Sequence, residues 1–356
     1  MSGKIAVKLS LLLLILLSSC SKWDHPSYWV RTEDGCRLPV FTYSGKSTMP
    51  AIIYLHGLGA NHNNFDAYPP SSFARFFSRK GYQGFSFDFR GHGGAICRDK
   101  SKIKIGRLWR YDLPAVIRSV KKRKIKRYFL MGHSLGGITL LEYAAHFTDP
   151  SLISIIAIGA PVTFTSSQRK IFLPLINRID FLKRISPYLW SYPFNYLIDA
   201  EPVIKFALRH IKLIRLLGNP DNLDPEQVKV MLTRAVSPST PISIIDQLKE
   251  AIINGPLVDE MGINYLTSLE KIKVPVLFIA GSTDMMARPK AVIMSYRETK
   301  ALAKLIIAGK KYGFSIDYGH IDLVVGKRAP SEILPIIYNW IKRYSDGGGD
   351  RIRTGE

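Results

Sequence analysis

The sequence predicts an α/β fold in which a mostly parallel β-sheet is covered by helices on both faces. Short apolar segments alternate with helical patterns along most of the 356 residues. Strands that are apolar along their whole length are typical of parallel sheets, which are buried on both faces. The alternation stops between residues 162 and 270 and then resumes. This interruption predicts one large insertion into a single core.

The first nineteen residues have the pattern of a secretory signal peptide. Lys4 and Lys8 precede an apolar run, Leu9 to Leu17, that is too short to cross a bilayer as a helix. The run ends in L-S-S-C at Cys20, which resembles a bacterial lipobox. That resemblance implies cleavage before Cys20, a lipid on its sulfur, and a place in the bacterial cell envelope, at the outer membrane or its periplasmic face. The alternative is an ordinary secretory signal with an incidental cysteine.

Residues 20–161 are predicted to form the first part of the core. One or two short strands are expected between Tyr28 and Tyr43, with a turn at Asp34-Gly35. Asp112 is predicted to cap a helix over 113–120. The other elements expected here are strands at 51–55, 85–89, 128–132 and 152–158, and helices at 73–80 and after residue 134.

Residues 162–270 are predicted to form a helical cap, because they contain helical patterns and many prolines but no convincing strand. An insertion of this kind lies at the carboxyl edge of an open α/β sheet, where ligands bind. Residues 271–344 form the second part of the predicted core, with strands at 274–280 and 302–308 and a terminal helix at 333–344. The polar, glycine-rich tail, 345–356, is predicted to be disordered.

The strongest chemical signal is the sequence G-H-S-L-G from Gly132 to Gly136, between an apolar strand and a helical pattern. A serine flanked by glycines two residues away on each side has the pattern of a nucleophile elbow, a sharp strand-to-helix turn. The glycines remove Cβ atoms that would collide at such a turn. The following helix directs its free N–H groups toward the serine oxygen. We therefore predict that Ser134 is a nucleophile.

Four stretches occur in a fixed order along the chain: HGLG, DFRGHG, GHSLGG, and a distal pair made of GSTD and YGHID. This order resembles the α/β-hydrolase family over nearly everything from residue 51 to 344 except the insertion. The resemblance implies the α/β-hydrolase fold and a catalytic order of serine, acid and histidine. The YGHID stretch resembles the histidine loop of acid lipases and of polyester synthases. Those synthases use cysteine where this chain has Ser134, so the comparison favours hydrolysis.

The resemblance also assigns the groups that would activate the serine. A serine hydroxyl needs a base within hydrogen-bond reach, and His320, beyond the last strand, is the expected base. Asp284 follows a strand and a glycine turn, and it is the expected acid that orients this base. Asp317 and Asp322 are nearer to His320 in sequence, but the family offers no such role for them. His62 has no motif support.

Two backbone N–H groups are expected to form the oxyanion hole that the reaction intermediate needs. One belongs to Leu135, the residue after the nucleophile, and the other to Leu58 in the HGLG turn. Three further histidines lie in the family motifs and are expected to be structural: His56, His92 and His133. No cysteine or histidine cluster has metal-ligand spacing and no nucleotide-binding glycine motif occurs, so neither a metal nor a cofactor is expected.

The charge is strongly basic and unevenly distributed. The net charge is +22, and residues 98–127 contain thirteen Lys or Arg but only two acidic residues. Nucleic-acid binding is one interpretation of such a patch, but the signal sequence directs the chain out of the cytosol, so no nucleic-acid partner is expected. Attraction to anionic lipid and a solvated helix end both remain open. Cys36 and Cys97 could pair in an oxidising compartment or remain buried thiols.

These features predict a lipid-anchored serine hydrolase that cleaves carboxylic esters through an acyl-enzyme. Thioester hydrolysis and acyl transfer use the same triad, and the alternative from another class is a surface lipoprotein that keeps the fold for binding without turnover. Within the insertion, residues 203–217 have a basic amphipathic pattern. Such a helix suits either a membrane interface or a cap packed on the core. A lid of this kind on an anchored enzyme favours acyl esters of medium or long chain.

Overall fold

The computed structural model describes residues 24–173, 214–237 and 241–345. Three of the predictions lie outside these ranges: the signal peptide with Cys20, most of the basic pattern at 203–217, and the tail after residue 345.

An eight-stranded sheet forms the centre of the fold, in the order β1-β2-β4-β3-β5-β6-β7-β8. The strands are β1 (Tyr28–Arg31), β2 (Arg37–Tyr43), β3 (Ala51–Leu55), β4 (Gln83–Phe87), β5 (Tyr128–His133), β6 (Leu152–Ile158), β7 (Val276–Gly281) and β8 (Ala303–Ala308). β2 is antiparallel to both β1 and β4, and all other neighbouring pairs are parallel. The mostly parallel sheet confirms the predicted fold class. Its central strands β3, β5 and β7 are buried along their whole length, as their continuous apolar sequences require.

Helices cover both faces of this sheet. Within the described residues they are α1 (Phe73–Arg79), α2 (Ile105–Arg107), α3 (Leu113–Lys121), α4 (Leu135–His146), α5 (Ile214–Leu217), α6 (Pro225–Arg234), α7 (Ile242–Asn254), α8 (Tyr265–Ser268), α9 (Pro289–Glu298), α10 (Asp322–Val325) and α11 (Ala329–Ser345). α3, α4 and α9 contribute buried side chains to the apolar core on one face. α1 and α11 contribute to the core on the other face.

One local prediction about these helices is wrong: Asp112 does not cap α3. A π-helical turn, Leu108–Asp112, leads directly into α3, and the Asp112 side chain makes no capping hydrogen bond. Its carboxylate instead accepts hydrogen bonds from the backbone N–H and the guanidinium of Arg90. Because Arg90 is fully buried, the carboxylate is needed to neutralise a cation inside the protein.

The described residues between β6 and β7 form helices and isolated bridges but no regular strand. Three of these bridges involve the insertion: Ala60 with Val236 connects it to the core, and Thr163 with Pro256 and Val258 with Asn264 connect it to itself. No helix in the described ranges has both the length and the apolar character needed to cross a membrane.

The basic stretch and the predicted nucleophile lie at opposite edges of the sheet. The run from Lys121 to Arg127 immediately precedes β5, whereas Ser134 immediately follows it. Part of the charge is paired, since Lys121 forms an ion pair of 2.7 Å with Asp149. The basic run therefore lies at the amino end of β5, and the candidate site lies at its carboxyl end.

Cys36 and Cys97 form a disulfide bond, which decides between the two alternatives that the sequence left open. The bond joins the start of β2 to the segment that follows β4. It thereby closes a chain segment with a sequence separation of 61 residues.

Candidate active site

Ser134 occupies a strained turn between β5 and α4. β5 ends at His133 and α4 begins at Leu135, so one residue makes the whole connection. Ser134 has φ 53° and ψ −117°, in a region that residues other than glycine rarely adopt. Such a backbone costs about 1–3 kcal/mol and persists only where the surrounding structure imposes it.

The glycines on either side of Ser134 allow this turn to form. A Cβ atom at Gly132 would collide with the backbone of Gly136, and one at Gly136 would collide with the carbonyl oxygen of Leu55 at the end of β3. α4 can therefore begin directly against the carboxyl ends of β3 and β5. This is the packing that the G-x-S-x-G pattern predicts.

His320 and Asp284 are brought together by the last two loops of the core. Nδ1 of His320 lies 2.8 Å from Oδ2 of Asp284, and since an ionised carboxylate can only accept, Nδ1 carries the proton. The other oxygen of Asp284 accepts the N–H of Ala287 at 2.7 Å. Both side chains are buried. In the neutral ring this arrangement leaves Nε2 as the nitrogen able to accept a proton.

Gly159, just after β6, makes room for this pair. Its φ is +55°, and a Cβ atom there would lie 3.2 Å from ring atoms of His320 and 3.5 Å from Oδ2 of Asp284. Glycine meets both requirements, the positive φ and the close approach, at little cost.

Ser134 and His320 line the same cavity, which has a volume of about 510 Å³. The core contributes the turn after β3 and the loop after β8, and the insertion contributes much of the apolar wall. The apolar side chains from the insertion include Leu216, Leu217, Met231, Leu232, Leu248 and Ile252.

Both residues predicted to form the oxyanion hole line this cavity as well. Leu135 is the first residue of α4, where helical N–H groups have no partner within the helix. Leu58 lies in a turn in which the N–H of Ala60 donates to the carbonyl oxygen of Gly57 at 3.2 Å. The turn is close to the nucleophile, since a Cβ atom at Gly57 would lie 3.4 Å from Cβ of Ser134.

His56 fixes the peptide unit that carries the Leu58 N–H. Nε2 of His56 accepts the N–H of Phe89 at 3.0 Å, so its Nδ1, 2.8 Å from the carbonyl oxygen of Gly57, is the protonated nitrogen. The carbonyl of Gly57 and the N–H of Leu58 belong to one planar trans peptide and point in opposite directions. Holding the carbonyl toward His56 therefore turns the N–H away from it. Burial lowers the pKa of His56 to about 4, so the ring stays neutral at pH 7.

Comparisons with known proteins agree with the fold that carries this site. The family described as the alpha/beta hydrolase fold matches residues 50–176. Mouse lipase member K is 27% identical, and the match covers 88% of this chain and 87% of the lipase. The esterase EaEST from Exiguobacterium antarcticum matches with a TM-score of 0.60 and 18% identity, covering 88% of this chain and 98% of the esterase. The chain has the α/β-hydrolase fold.

A further solved structure with this α/β-hydrolase fold is the enol-lactonase from Burkholderia xenovorans. It matches with a TM-score of 0.58 and 18% identity, covering 88% of this chain and 100% of the lactonase. The chain thus has the α/β-hydrolase fold and is similar in sequence to proteins named as lipases and esterases.

His133 supports the loop that carries His320. Nε2 of His133 lies 3.2 Å from the carbonyl oxygen of His320, and the two rings are 4.8 Å apart. Burial, followed by the proximity of His320, lowers the pKa of His133 to about 3. A neutral ring at this position does not repel the charge that His320 would acquire as a base.

The two alternative acids, Asp317 and Asp322, are hydrogen bonded to other groups. Oδ1 of Asp317 accepts from the hydroxyl of Ser282 at 2.8 Å and from the N–H of Lys310 at 3.0 Å. Asp322 accepts from the N–H of Gly319 and from two groups of the insertion. Among the described residues, no group of three His, Cys, Asp or Glu side chains is arranged to hold a metal ion.

Sequence reasoning did not identify three of these contributions: the hydrogen bond of His56 to the HGLG turn, the support that His133 gives to His320, and the partners of Asp322. The first two histidines stand inside motifs, so their positions were visible but their hydrogen bonds were not. The partners of Asp322 lie about 100 residues away in the insertion, and no sequence pattern points to them.

Proposed function

We propose that this protein is a serine hydrolase that cleaves carboxylic esters through an acyl-enzyme formed on Ser134. The observation that supports this most directly is the position of His320, which is hydrogen bonded to Asp284 through Nδ1 and lines the same cavity as Ser134. The strained turn at Ser134 adds support, because backbone strain of this kind clusters at active sites.

In the proposed reaction, Nε2 of His320 removes the proton from Ser134 while the serine oxygen attacks the ester carbonyl carbon. Asp284 stabilises the imidazolium through its hydrogen bond to Nδ1. The N–H groups of Leu58 and Leu135 stabilise the negative charge on the former carbonyl oxygen. His320 then returns the proton to the leaving alcohol. Water, deprotonated by the same histidine, hydrolyses the acyl-enzyme and restores the serine.

Labelling with a fluorophosphonate tests this proposal, because the reagent reacts with activated serines. We expect the wild type to be labelled and to hydrolyse p-nitrophenyl esters, and the variant Ser134→Ala to lose both properties while remaining folded by circular dichroism. Retained turnover in Ser134→Ala would contradict the mechanism. A folded wild type that is neither labelled nor active would instead favour a binding lipoprotein without turnover.

We propose further that residues 162–270 form a helical cap and that the cavity binds acyl chains of medium or long length. The apolar wall that the insertion contributes supports this assignment, since each methylene group transferred from water to an apolar pocket gains about 0.8 kcal/mol. We expect kcat/KM to rise with chain length in a series of p-nitrophenyl esters from acetate upward, measured with and without anionic vesicles. A steady fall beyond butyrate, unchanged by vesicles, would indicate a short-chain esterase.

We also propose that a lipid on Cys20 anchors the protein in the cell envelope. The disulfide between Cys36 and Cys97 supports a location outside the cytosol, because disulfides persist in oxidising compartments. The basic run before β5 is less suited to the same membrane, since contact through it would direct Ser134, at the other end of the strand, away from the bilayer. In Cys20→Ser, we expect lipid labelling to be lost and the protein to be absent from the membrane fraction. Unchanged partitioning of Cys20→Ser would contradict the anchor.

A further inference from the structure

The loop that carries His320 is hydrogen bonded to one short segment of the insertion, residues 217–222. The N–H of Ile321 donates to the carbonyl oxygen of Leu217 at 2.9 Å. The side-chain amide of Asn219 donates to the carbonyl oxygen of Asp317 at 2.6 Å. The backbones also approach closely, because a Cβ atom at Gly319 would lie 2.6 Å from Cα of Gly218. The catalytic loop and the insertion are therefore in direct backbone contact.

Asp322 lies at the centre of this contact and is fully buried. Its Oδ1 accepts from the N–H of Asn219 at 3.1 Å and from the N–H of Gly319 at 3.0 Å. Its Oδ2 accepts from the side-chain amide of Asn222 at 3.0 Å and again from the N–H of Gly319 at 3.1 Å. One carboxylate thus binds the residue before His320 and two residues of the insertion at once.

Asn222, also fully buried, extends the same connection to the start of α11. Its carbonyl oxygen accepts the N–H of Lys327 at 2.8 Å, and its side-chain oxygen accepts the N–H of Arg328 at 3.1 Å. With both of these groups accepting, the Asn222 amide nitrogen is oriented as a donor toward Asp322. The pair of Asp322 and Asn222 is therefore directional, with the carboxylate on the catalytic side and the amide on the insertion side.

We propose that Asp322 is a positioning residue that fastens the cavity wall formed by Leu216 and Leu217 to the loop of His320, so that the position of the base depends on the insertion. This inference rests on the proposed function of His320. Asp322 acts through its neighbours, since Nδ1 of His320 is bonded to Asp284 and both oxygens of Asp322 are occupied by the donors named above. A small displacement of a catalytic group lowers the rate steeply, by about 10²-fold for about 1 Å.

The first test is the variant Asp322→Asn. One of the two carboxylate oxygens becomes an NH₂ group, which faces the N–H of Gly319 and either the amide of Asn222 or the N–H of Asn219, so donors oppose donors. We expect kcat for p-nitrophenyl acetate to fall by about 10²-fold, while KM for this small substrate changes little. Thermal unfolding is measured in parallel, and kinetics are recorded at a temperature where the variant is folded.

The second test reverses the pair in the double variant Asp322→Asn with Asn222→Asp. The new amide can donate to the new carboxylate, which still accepts the N–H of Arg328, and the new side-chain oxygen at 322 still accepts from Gly319. We expect the double variant to recover most of the lost kcat. The matched control is Glu142→Gln. Glu142 lies in the C-terminal part of α4, and its buried carboxylate accepts a hydrogen bond from the hydroxyl of Ser268. This control should lower stability without changing kcat.

A readout that requires no turnover is the Nδ1 proton of His320 in the NMR spectrum, assigned by its loss in His320→Ala. We expect this signal to shift or broaden in Asp322→Asn, to return in the double variant, and to be unchanged in Glu142→Gln. Absence of wild-type turnover would contradict the proposed function, and the NMR comparison would still decide the fastening role.

The inference about Asp322 would be overturned by wild-type kcat and an unchanged signal in folded Asp322→Asn. A double variant that folds but remains as slow as Asp322→Asn would also overturn it. If Asp322→Asn alone does not fold, Asn222→Ala, which removes only the insertion side of the pair, gives the same two measurements.

Discussion

Two histidine–aspartate pairs lie at the carboxyl edge of the sheet, and their local geometry is nearly identical. Nδ1 of His320 is 2.8 Å from Asp284, and Nδ1 of His62 is 2.9 Å from Asp88. Both histidines are almost completely buried. The difference lies at the other ring nitrogen. Nε2 of His62 has polar neighbours in Asn63 at 3.1 Å and Asp24 at 3.4 Å, and its ring stacks on Phe41.

The comparison shows that a His–Asp hydrogen bond does not by itself indicate a catalytic base. His320 lines the cavity beside Ser134, whereas His62 does not line it. Asp88 also accepts the backbone N–H groups of His62 and Gly94, so it organises two loops rather than one ring. What distinguishes the two pairs is that His320 lines the cavity beside Ser134, whereas Nε2 of His62 has other protein groups as its neighbours.

The strongest test of the difference between the two pairs is to remove each histidine ring in turn. His320→Ala should lower kcat/KM by several orders of magnitude, because the members of a triad act as a unit. His62→Ala removes a ring packed on Phe41 and should destabilise the fold while leaving the kcat of the folded protein within about tenfold of the wild type. Both are measured with p-nitrophenyl butyrate at a temperature where each variant is folded. A comparable loss of kcat in the two variants would mean that the pairs are not functionally different.

Changing the carboxylates tests the same difference more gently. Asp284→Asn should lower kcat by about 10⁴-fold, since an amide no longer holds the histidine in the tautomer that the reaction needs. Asp88→Asn should instead reduce the free energy of unfolding by about 1–3 kcal/mol, measured with urea, and leave kcat nearly unchanged. Full activity in Asp284→Asn would transfer the role of the acid to Asp317 or Asp322.

Removing the disulfide is a change confined to the neighbourhood of the pair His62 and Asp88. The disulfide fastens the segment after Gly94, which donates to Asp88, to the start of β2. Replacing Cys36 and Cys97 by alanine should lower the free energy of unfolding by about 4 kcal/mol for a loop of this length. Urea unfolding of the double variant checks this value, with the reduced wild type as a control. A loss of kcat in the folded variant would show that the region of His62 and Asp88 is coupled to the region of His320 and Asp284.

The smallest expected effect for each unit of change concerns the neutral histidines that surround the two pairs, whose influence on stability is a slope against pH. Burial lowers the pKa of His56 to about 4 and that of His92 to about 3, from 6.5. Between pH 6.5 and about 4 the unfolded chain therefore binds protons that the folded protein does not bind. Stability should fall as the pH falls through this window, by at most about 1.4 kcal/mol per pH unit for each histidine.

Urea unfolding at several pH values measures this slope. In the variant His92→Asn, the slope of the free energy of unfolding against pH should be smaller by the contribution of one proton, at most about 1.4 kcal/mol per pH unit. An unchanged slope in His92→Asn would show that this ring is already protonated in the folded state, which contradicts its burial as a neutral group.

The fold class and the strand-to-helix turn at Ser134 were predictable, because apolar periodicity and glycine spacing are local signals. Asp284 and His320 were singled out through the family resemblance. The ends of elements were less predictable. Asp112 reads as a cap from its neighbours, yet its carboxylate neutralises Arg90, and only the tertiary structure shows that the arginine is buried there. A local pattern cannot reveal a partner that arrives from another strand.

The site shows the same limit. The sequence could rank Asp284 above Asp317 and Asp322 through a family resemblance, but it could not show what the last two carboxylates bind. It also offered no reason to compare His62 with His320. His62 lies in no motif, and its partner Asp88 is 26 residues away in the sequence and is brought close to it only by the fold. Whether Cys36 and Cys97 pair depends on the distance between β2 and the segment after β4, which composition does not determine.

The strand order β4-β3-β5-β6-β7-β8 has a consequence for how the protein matures. The turn with Leu58 follows β3, Ser134 follows β5, and Asp284 and His320 come from loops after β7 and β8, so no half of the chain contains a complete site. Parallel pairing between distant segments forms slowly, because loops must close before contacts are gained. During refolding, the return of esterase activity should therefore lag behind the return of helical signal. The time course of recovered turnover would therefore report when the last strand joins the sheet.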